Sequence, residues 1–209
     1  MRGVKMNLKK FFSIVLAVVM VVSLLSSSVY AVSPTPTFGG KLDRGITRIS
    51  WWMSYENNGG WYEYQIINAV NNWKNPGWSN PINFVAASSN SGTMMDFYTK
   101  NNDVFYSNYG SNNILAITEF FNINSTKINP TSNYRFTEIT INDTNMHNIG
   151  ATKMKGTITH EIGHALGLAH YNTNVYSIMC QSYVSSSGLR RQVQAVQQCD
   201  NTAVVNLYS

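Results

Sequence analysis

Charge is scarce in this sequence. Asp, Glu, Lys and Arg make up 12% of its 209 residues, with a formal net charge of +5. Four of the fifteen basic residues, Arg2, Lys5, Lys9 and Lys10, crowd into the first ten positions. The pI of 9.2 therefore belongs largely to that head, because the remaining eleven basic residues nearly balance ten acidic ones. Only Arg190-Arg191 forms a basic cluster elsewhere. A nucleic-acid-binding face needs a basic patch or stripe, so no nucleic-acid partner is expected. Cysteine is limited to Cys180 and Cys199, and histidine to four residues. Between Tyr171 and Cys199 there is no acidic residue at all. After residue 25 no apolar run is long enough to cross a bilayer.

The beginning of the chain reads as a targeting segment rather than as fold. The positive head is followed by an apolar run over residues 11–25, interrupted by Ser13 and Ser23, and then by small residues ending at Val29-Tyr30-Ala31. That is the layout of a secretory signal peptide over residues 1–31, cleaved after Ala31. An uncleaved anchor is the alternative, since about fifteen apolar residues is near the lower limit of a span. With cleavage, no stable membrane association is expected and the protein is secreted. Export also makes a disulfide between Cys180 and Cys199 one reading of that pair, with two free or buried thiols as the other.

Residues 32–40 contain Pro34, Pro36 and Gly39-Gly40 and read as a short extended leader without structure. Residues 41–209 are then one domain, long enough for a real core. An aromatic content of 12% argues against disorder. Strands are predicted over 46–54, 82–86, 94–98, 113–121 and 134–141 from β-branched and aromatic content and alternation. Apolar residues spaced three and four apart predict helices over 61–73 and 154–168, and a final one over 188–207. In the last, Leu189, Val193, Val196, Val204 and Leu207 would face inward. The 61–73 helix is stopped by Asn75-Pro76-Gly77. Strands first and helices last give an α+β fold with a mixed sheet.

The 157–170 segment carries the chemistry. His160 and His164 lie four apart on a helix, roughly 40° around its axis and one turn along it, so their imidazoles project together and can chelate one ion. Ile158, Ile162, Ala165 and Leu166 supply an apolar face that buries the helix behind them. His170 would point about 240° from His164 if the helix continued. Gly167 can take the positive φ that ends a helix and turns the chain back, which brings His170 to the ion as a third ligand. Three histidines leave one position open for water, as a catalytic zinc site does. Zinc-activated water would then attack a peptide carbonyl, with Glu161 as general base and afterwards general acid. The other arrangement of HExxH needs a downstream acidic ligand, which the acid-free stretch 171–199 does not supply. The fourth histidine, His147, lies alone on a polar stretch and reads as solvated.

HExxHxxGxxH with every position filled resembles the metzincin zinc peptidases, most closely the matrixin-like branch seen in secreted bacterial proteins. The resemblance implies a twisted mixed sheet, a metal-binding active-site helix and a C-terminal helix. It also implies a tight turn whose methionine floors the metal site, and Ser177-Ile178-Met179 matches that turn through Met179. An edge strand that binds substrate by strand addition is implied too, and residues 113–118 are the candidate. Catalytic Zn2+ is the cofactor expected, an extracellular polypeptide the substrate, and a monomer the working state. The chain also departs from the pattern. Only His147 is left over for the second zinc site of many matrixins, and acidic residues are too scattered to support calcium. No cysteine precedes the metal helix to act as a latency switch. Tyr171 follows the third histidine where relatives carry a small or acidic residue, and Tyr183 does not match the spacing of the oxyanion-assisting tyrosine of some relatives. A catalytically silent zinc-dependent binding protein is the rival reading, and the presence of Glu161 argues against it.

Overall fold

Alternation in β1 (Ile49–Met53) turns Ile49, Trp51 and Met53 into the core. The computed structural model describes residues 33–111, 113–182 and 190–209. The signal segment over 1–31, Tyr183 and Leu189 lie outside the described residues. β1 pairs in parallel with both β2 (Phe84–Ala86) and β3 (Met95–Lys100), and β3 pairs in parallel with β5 (Phe136–Asn142). β4 (Ala116–Phe121) runs antiparallel to β5 at the border of the sheet, giving the order β2-β1-β3-β5-β4. The mixed sheet and the α+β class are as the sequence predicts.

Two long helices cover one face of this sheet. α1 (Gly59–Lys74) buries Tyr62, Ile66, Ala69, Val70 and Trp73. Its first residue must be glycine, because a Cβ there would stand 1.9 Å from the Ser54 carbonyl oxygen. α4 (Ala151–Ala165) lies beside α1, and the fully buried Trp73 joins the two by donating its indole N–H to Thr159 O at 2.8 Å. Between helices and sheet sit Met95, Phe97, Ile139, Ile141, Ile158 and Ile162, all essentially without exposed surface. Each such side chain stabilises the fold by roughly 1.5–3 kcal/mol relative to exposure.

Several features differ from the sequence reading. α2 (Asn102–Tyr109) and α3 (Asp143–Met146) occupy stretches read as polar loop. α2 starts because the Asn101 side chain accepts the Val104 N–H at 3.4 Å, and it ends at Gly110 in the left-handed region. β4 begins at Ala116, three residues later than predicted. The last helix, α5 (Gln198–Tyr208), begins ten residues later than predicted. A reciprocal cap between Gln197 and Asp200 starts it, while the residues before it are committed elsewhere: Arg191 N–H donates to Gln181 O and Gln192 N–H to Val175 O.

Residues 33–40 are not a structureless leader. They belong to the same unit, Ser33–Ser209, and run alongside the chain that leaves α4. Phe38 N–H donates to Gly167 O at 2.9 Å, and Ala169 N–H to Pro36 O at 2.8 Å. Thr35 is buried, with its N–H on Cys199 O. The prolines that suggested disorder lack N–H groups, but Pro36 still bonds through its carbonyl. The disulfide is corrected as well. Cys180 and Cys199 are buried and unbonded. The Cys180 thiol faces Gln181 O at 3.5 Å, whereas Cys199 Sγ accepts from Asn174 Nδ2 at 3.8 Å, so each sulfur is spent on its own neighbours.

Candidate metal centre

α4 presents His160 and His164 from successive turns, and the end of the helix delivers His170. Leu168 N–H bonds back to Gly163 O (3.0 Å) and Gly167 N–H to His164 O (2.8 Å), a pair of bonds that closes the helix through a left-handed residue. That residue is Gly167, with φ +98°. A Cβ on it would also stand 2.6 Å from Leu207 Cδ2 and 2.9 Å from Gly40 O. Conformation and space therefore both demand glycine. Gly167→Ala is expected to destabilise the fold by about 1–3 kcal/mol and to weaken zinc binding on the order of tenfold, since His170 hangs on this turn. Competition with a chromophoric chelator measures the second effect, and unchanged affinity would show that His170 does not depend on the turn.

The three imidazoles converge. Their available ring nitrogens lie within 4.8 Å of one another. Ring centroids are 4.6 Å apart for His160 and His164, 4.7 Å for His164 and His170, and 5.3 Å for His160 and His170. The tautomers follow from the surroundings. His160 Nδ1 lies 2.8 Å from Ile178 O and His164 Nδ1 lies 2.8 Å from Leu168 O. A carbonyl only accepts, so both Nδ1 atoms carry the proton and both Nε2 atoms keep a lone pair for an ion. His164 Nε2 and His170 Nε2 are 3.1 Å apart, close to the roughly 3.3 Å that tetrahedral angles and zinc–nitrogen bonds of about 2.0–2.1 Å require.

Electrostatics favour the same protonation state. Burial, reinforced by neighbouring His164, Arg191 and His170, holds His160 well below the usual imidazole range. Burial pushes His164 down to about 4, and burial together with His164 pushes His170 to about 4. All three are neutral at pH 7, as metal ligation needs. Among the described residues, this trio is the one group of His, Cys, Asp or Glu donors placed to hold a metal ion. His147 is elsewhere, stacked on Trp61 with ring centroids 4.2 Å apart.

Met179 lies directly beneath. A Cβ on Gly163, between the two helical histidines, would be 2.3 Å from Met179 Sδ, so the thioether packs against bare backbone there. The turn carrying it is fixed by Asp200, whose carboxylate is fully buried. Asp200 accepts from Ile178 N–H (3.0 Å), Gln197 N–H (2.9 Å), Thr35 Oγ1 (2.6 Å) and Ser177 Oγ. Ser177 Oγ in turn accepts the Met179 N–H at 3.0 Å.

Glu161 is 6% exposed and stands beside His160. Thr118, on β4, donates its hydroxyl to Glu161 Oε2 at 2.8 Å and lies 3.0 Å from Glu161 O. Burial pushes the Glu161 carboxyl up to about 7, against the opposing influences of the Thr118 hydrogen bond and the Arg191 charge. The cleft over these residues holds about 660 Å³ and is walled on one side by residues 113–118. Beyond Glu119 the border of β4 is covered, because Ile128 N–H donates to Phe120 O and Asn122 N–H to Thr126 O. Thr157, Arg191 and Asp200 were not singled out from the sequence as parts of the site, and Thr118 was read only as the end of the candidate substrate-binding edge, not as the partner of Glu161. Only the capping of α5 by an acidic residue near the end of the chain could have hinted at Asp200.

The arrangement is that of a hydrolase site: three neutral imidazoles for one ion, a buried carboxylate at the side, and an open cleft in front. A family model described as matrixin matches residues 50–209. No curated protein matches the chain. Three histidines shaped for zinc, a helix-to-glycine turn that delivers the third of them, and a family match that covers the sheet and both covering helices place this chain in the matrixin family of zinc metalloendopeptidases.

Proposed function

We propose that this zinc endopeptidase is exported and cuts extracellular polypeptides, with Glu161 as its general base and acid. The observation that carries the mechanism is the position of Glu161: a carboxylate buried next to His160, one of its oxygens taken by Thr118. Zinc held by His160, His164 and His170 supplies a Lewis acid that polarises a carbonyl oxygen and makes water easier to deprotonate. Glu161 accepts the proton given up by the attacking water and returns it to the departing amine nitrogen. Thr118 fixes the Oε2 end of the carboxylate, leaving Oε1 for the proton. A substrate backbone adds to the border of β4 from Ala116 to Thr118, the Ile114 carbonyl before it being already bonded by the Asn142 and Asn145 side chains, and strand pairing supplies affinity without regard to side chains. Export is supported by the basic head, apolar run and Val29-Tyr30-Ala31 ending.

The test is expression of the whole chain in a secreting bacterial host. The protein is expected in the medium with Val32 as its first residue, cleaving unfolded casein. A zinc chelator should abolish cleavage, and added zinc should restore it. A folded, zinc-loaded protein that leaves casein intact would instead favour the silent binding role. Retention of residues 1–31 in the cell-associated fraction would overturn export.

A further inference from the structure

Among the described residues, two side-chain atoms are buried without any hydrogen-bond partner in residues that line the cleft, Thr157 Oγ1 and Arg191 Nε. Both residues line the same cleft as His160 and Glu161. Arg191 is 8% exposed. Its Nη1 donates to Ile178 O (3.3 Å) and Cys180 O (3.4 Å), and its Nη2 to Gln194 Oε1 (3.3 Å). These are neutral acceptors. All ten acidic residues of the chain lie among the described residues, yet none comes within 4.0 Å of this guanidinium. A dry cation with no carboxylate in contact, offset only by the more distant influence of Cys180, Glu161 and Asp200, is costly to maintain, and its side chain lines the cleft.

Gln194 brings the Arg191 side chain next to the turn of α4 that carries Thr157. A Cβ on Gly156 would fall 1.8 Å from Gln194 Oε1, so glycine lets Gln194 lie across α4 and brace Arg191. Thr157 is the next residue along. Its neighbour Thr159 satisfies its hydroxyl on the helix, donating to Lys155 O at 2.8 Å, whereas Thr157 does not use that outlet. A guanidinium N–H and a hydroxyl, both dry and without a partner among the described residues, are the donors that recognise a carboxylate.

We propose that Arg191 and Thr157 form a subsite for a carboxylate carried by the substrate, so that cleavage favours an acidic side chain, or a free C-terminus, close to the scissile bond. This rests on the peptidase reading above. Arg191 is a specificity residue in this account, with Gln194 and Gly156 positioning it.

The test uses the zinc-loaded protein and peptides identical except for Asp, Asn or Leu at each position flanking the bond. Each peptide is made with a free and with an amidated C-terminus. The acidic peptide should show kcat/KM roughly ten- to a hundredfold above its Asn counterpart at one position. If the free C-terminus is the ligand, amidation causes the drop and the Asp/Asn exchange does not. Arg191→Gln should bring the ratio to about one. Thr157→Val, which removes only an unbonded hydroxyl, should lower it severalfold and serves if the arginine variant does not fold. The same peptides are titrated calorimetrically into Glu161→Gln, so that recognition is read even if no peptide is cut. Equal cleavage and equal binding of acidic, amide and apolar peptides would overturn the subsite. Absence of cleavage with retained preference for the carboxylate in binding would overturn the peptidase reading and leave the subsite standing.

Discussion

Glu161→Gln is expected to lower kcat by about 10²–10⁴-fold while zinc content, fold and KM stay near those of the parent. Glutamine has the same shape and keeps an oxygen for the Thr118 hydroxyl, which in the parent donates to Oε2 at 2.8 Å. What it loses is the ability to accept a proton. The loss should fall on kcat, because removing a group needed only during bond breaking leaves ground-state binding intact. Steady-state kinetics on a fluorogenic peptide, with zinc measured on the same sample, reads both quantities. Activity within tenfold of the parent would remove Glu161 from the mechanism. A loss of zinc in parallel would mean that the carboxylate supports the metal site instead.

Asp200→Ala is expected to cost about 3–5 kcal/mol of folding stability. The fully buried carboxylate satisfies two backbone N–H groups and two hydroxyls at once. Alanine leaves all four donors in a dry place, and each abandoned donor costs roughly 1–3 kcal/mol, less what local relaxation recovers. Domains of this kind have about 5–15 kcal/mol in hand, so the variant should approach instability. The damage should also reach the metal. Ile178 gives its N–H to Asp200 and its carbonyl to His160 Nδ1, and loss of such a partner weakens metal binding about 10–100-fold. Urea unfolding of the zinc-free protein and chelator competition on the loaded one separate the two effects. A stability change below 1 kcal/mol would show that the network contributes little.

The metal site was readable because its geometry is local. Spacing of four on a helix, followed by a glycine that reverses the chain, fixes where three imidazoles go with little help from the rest of the fold. The strands of the sheet and the two long helices were readable for a similar reason, since each carries a repeated apolar pattern. α2 and α3 were not, because each buries a single large side chain, Phe105 or Met146, too little to establish a period. The start of α5 was misread because residues 190–197 are apolar enough for a helix but are drawn into bonds with Val175 and Gln181. The bond of Thr118 to Glu161 and the parts played by Thr157 and Arg191 were illegible in principle. Thr118 meets Glu161 across 43 positions, and the importance of Thr157 and Arg191 lies in partners they lack, which only three dimensions reveal. The Gly39-Gly40 pair suggested flexibility, whereas a Cβ on Gly40 would stand 2.2 Å from Ser132 O, so the glycine marks close contact.

The bond from Thr35 to Asp200 spans 165 positions, and that distance has a bearing on the order of assembly. α4 can form early from its own neighbours, and two of the three imidazoles come with it. The turn under them acquires its anchor only after the chain has been made as far as Asp200, and that carboxylate is fully satisfied only when the segment around Thr35 has returned to meet it. Closing so long a loop is an entropic cost met late in folding. A growing chain therefore carries the histidines without a finished floor until Asp200 has been made, and the motif alone does not complete the site.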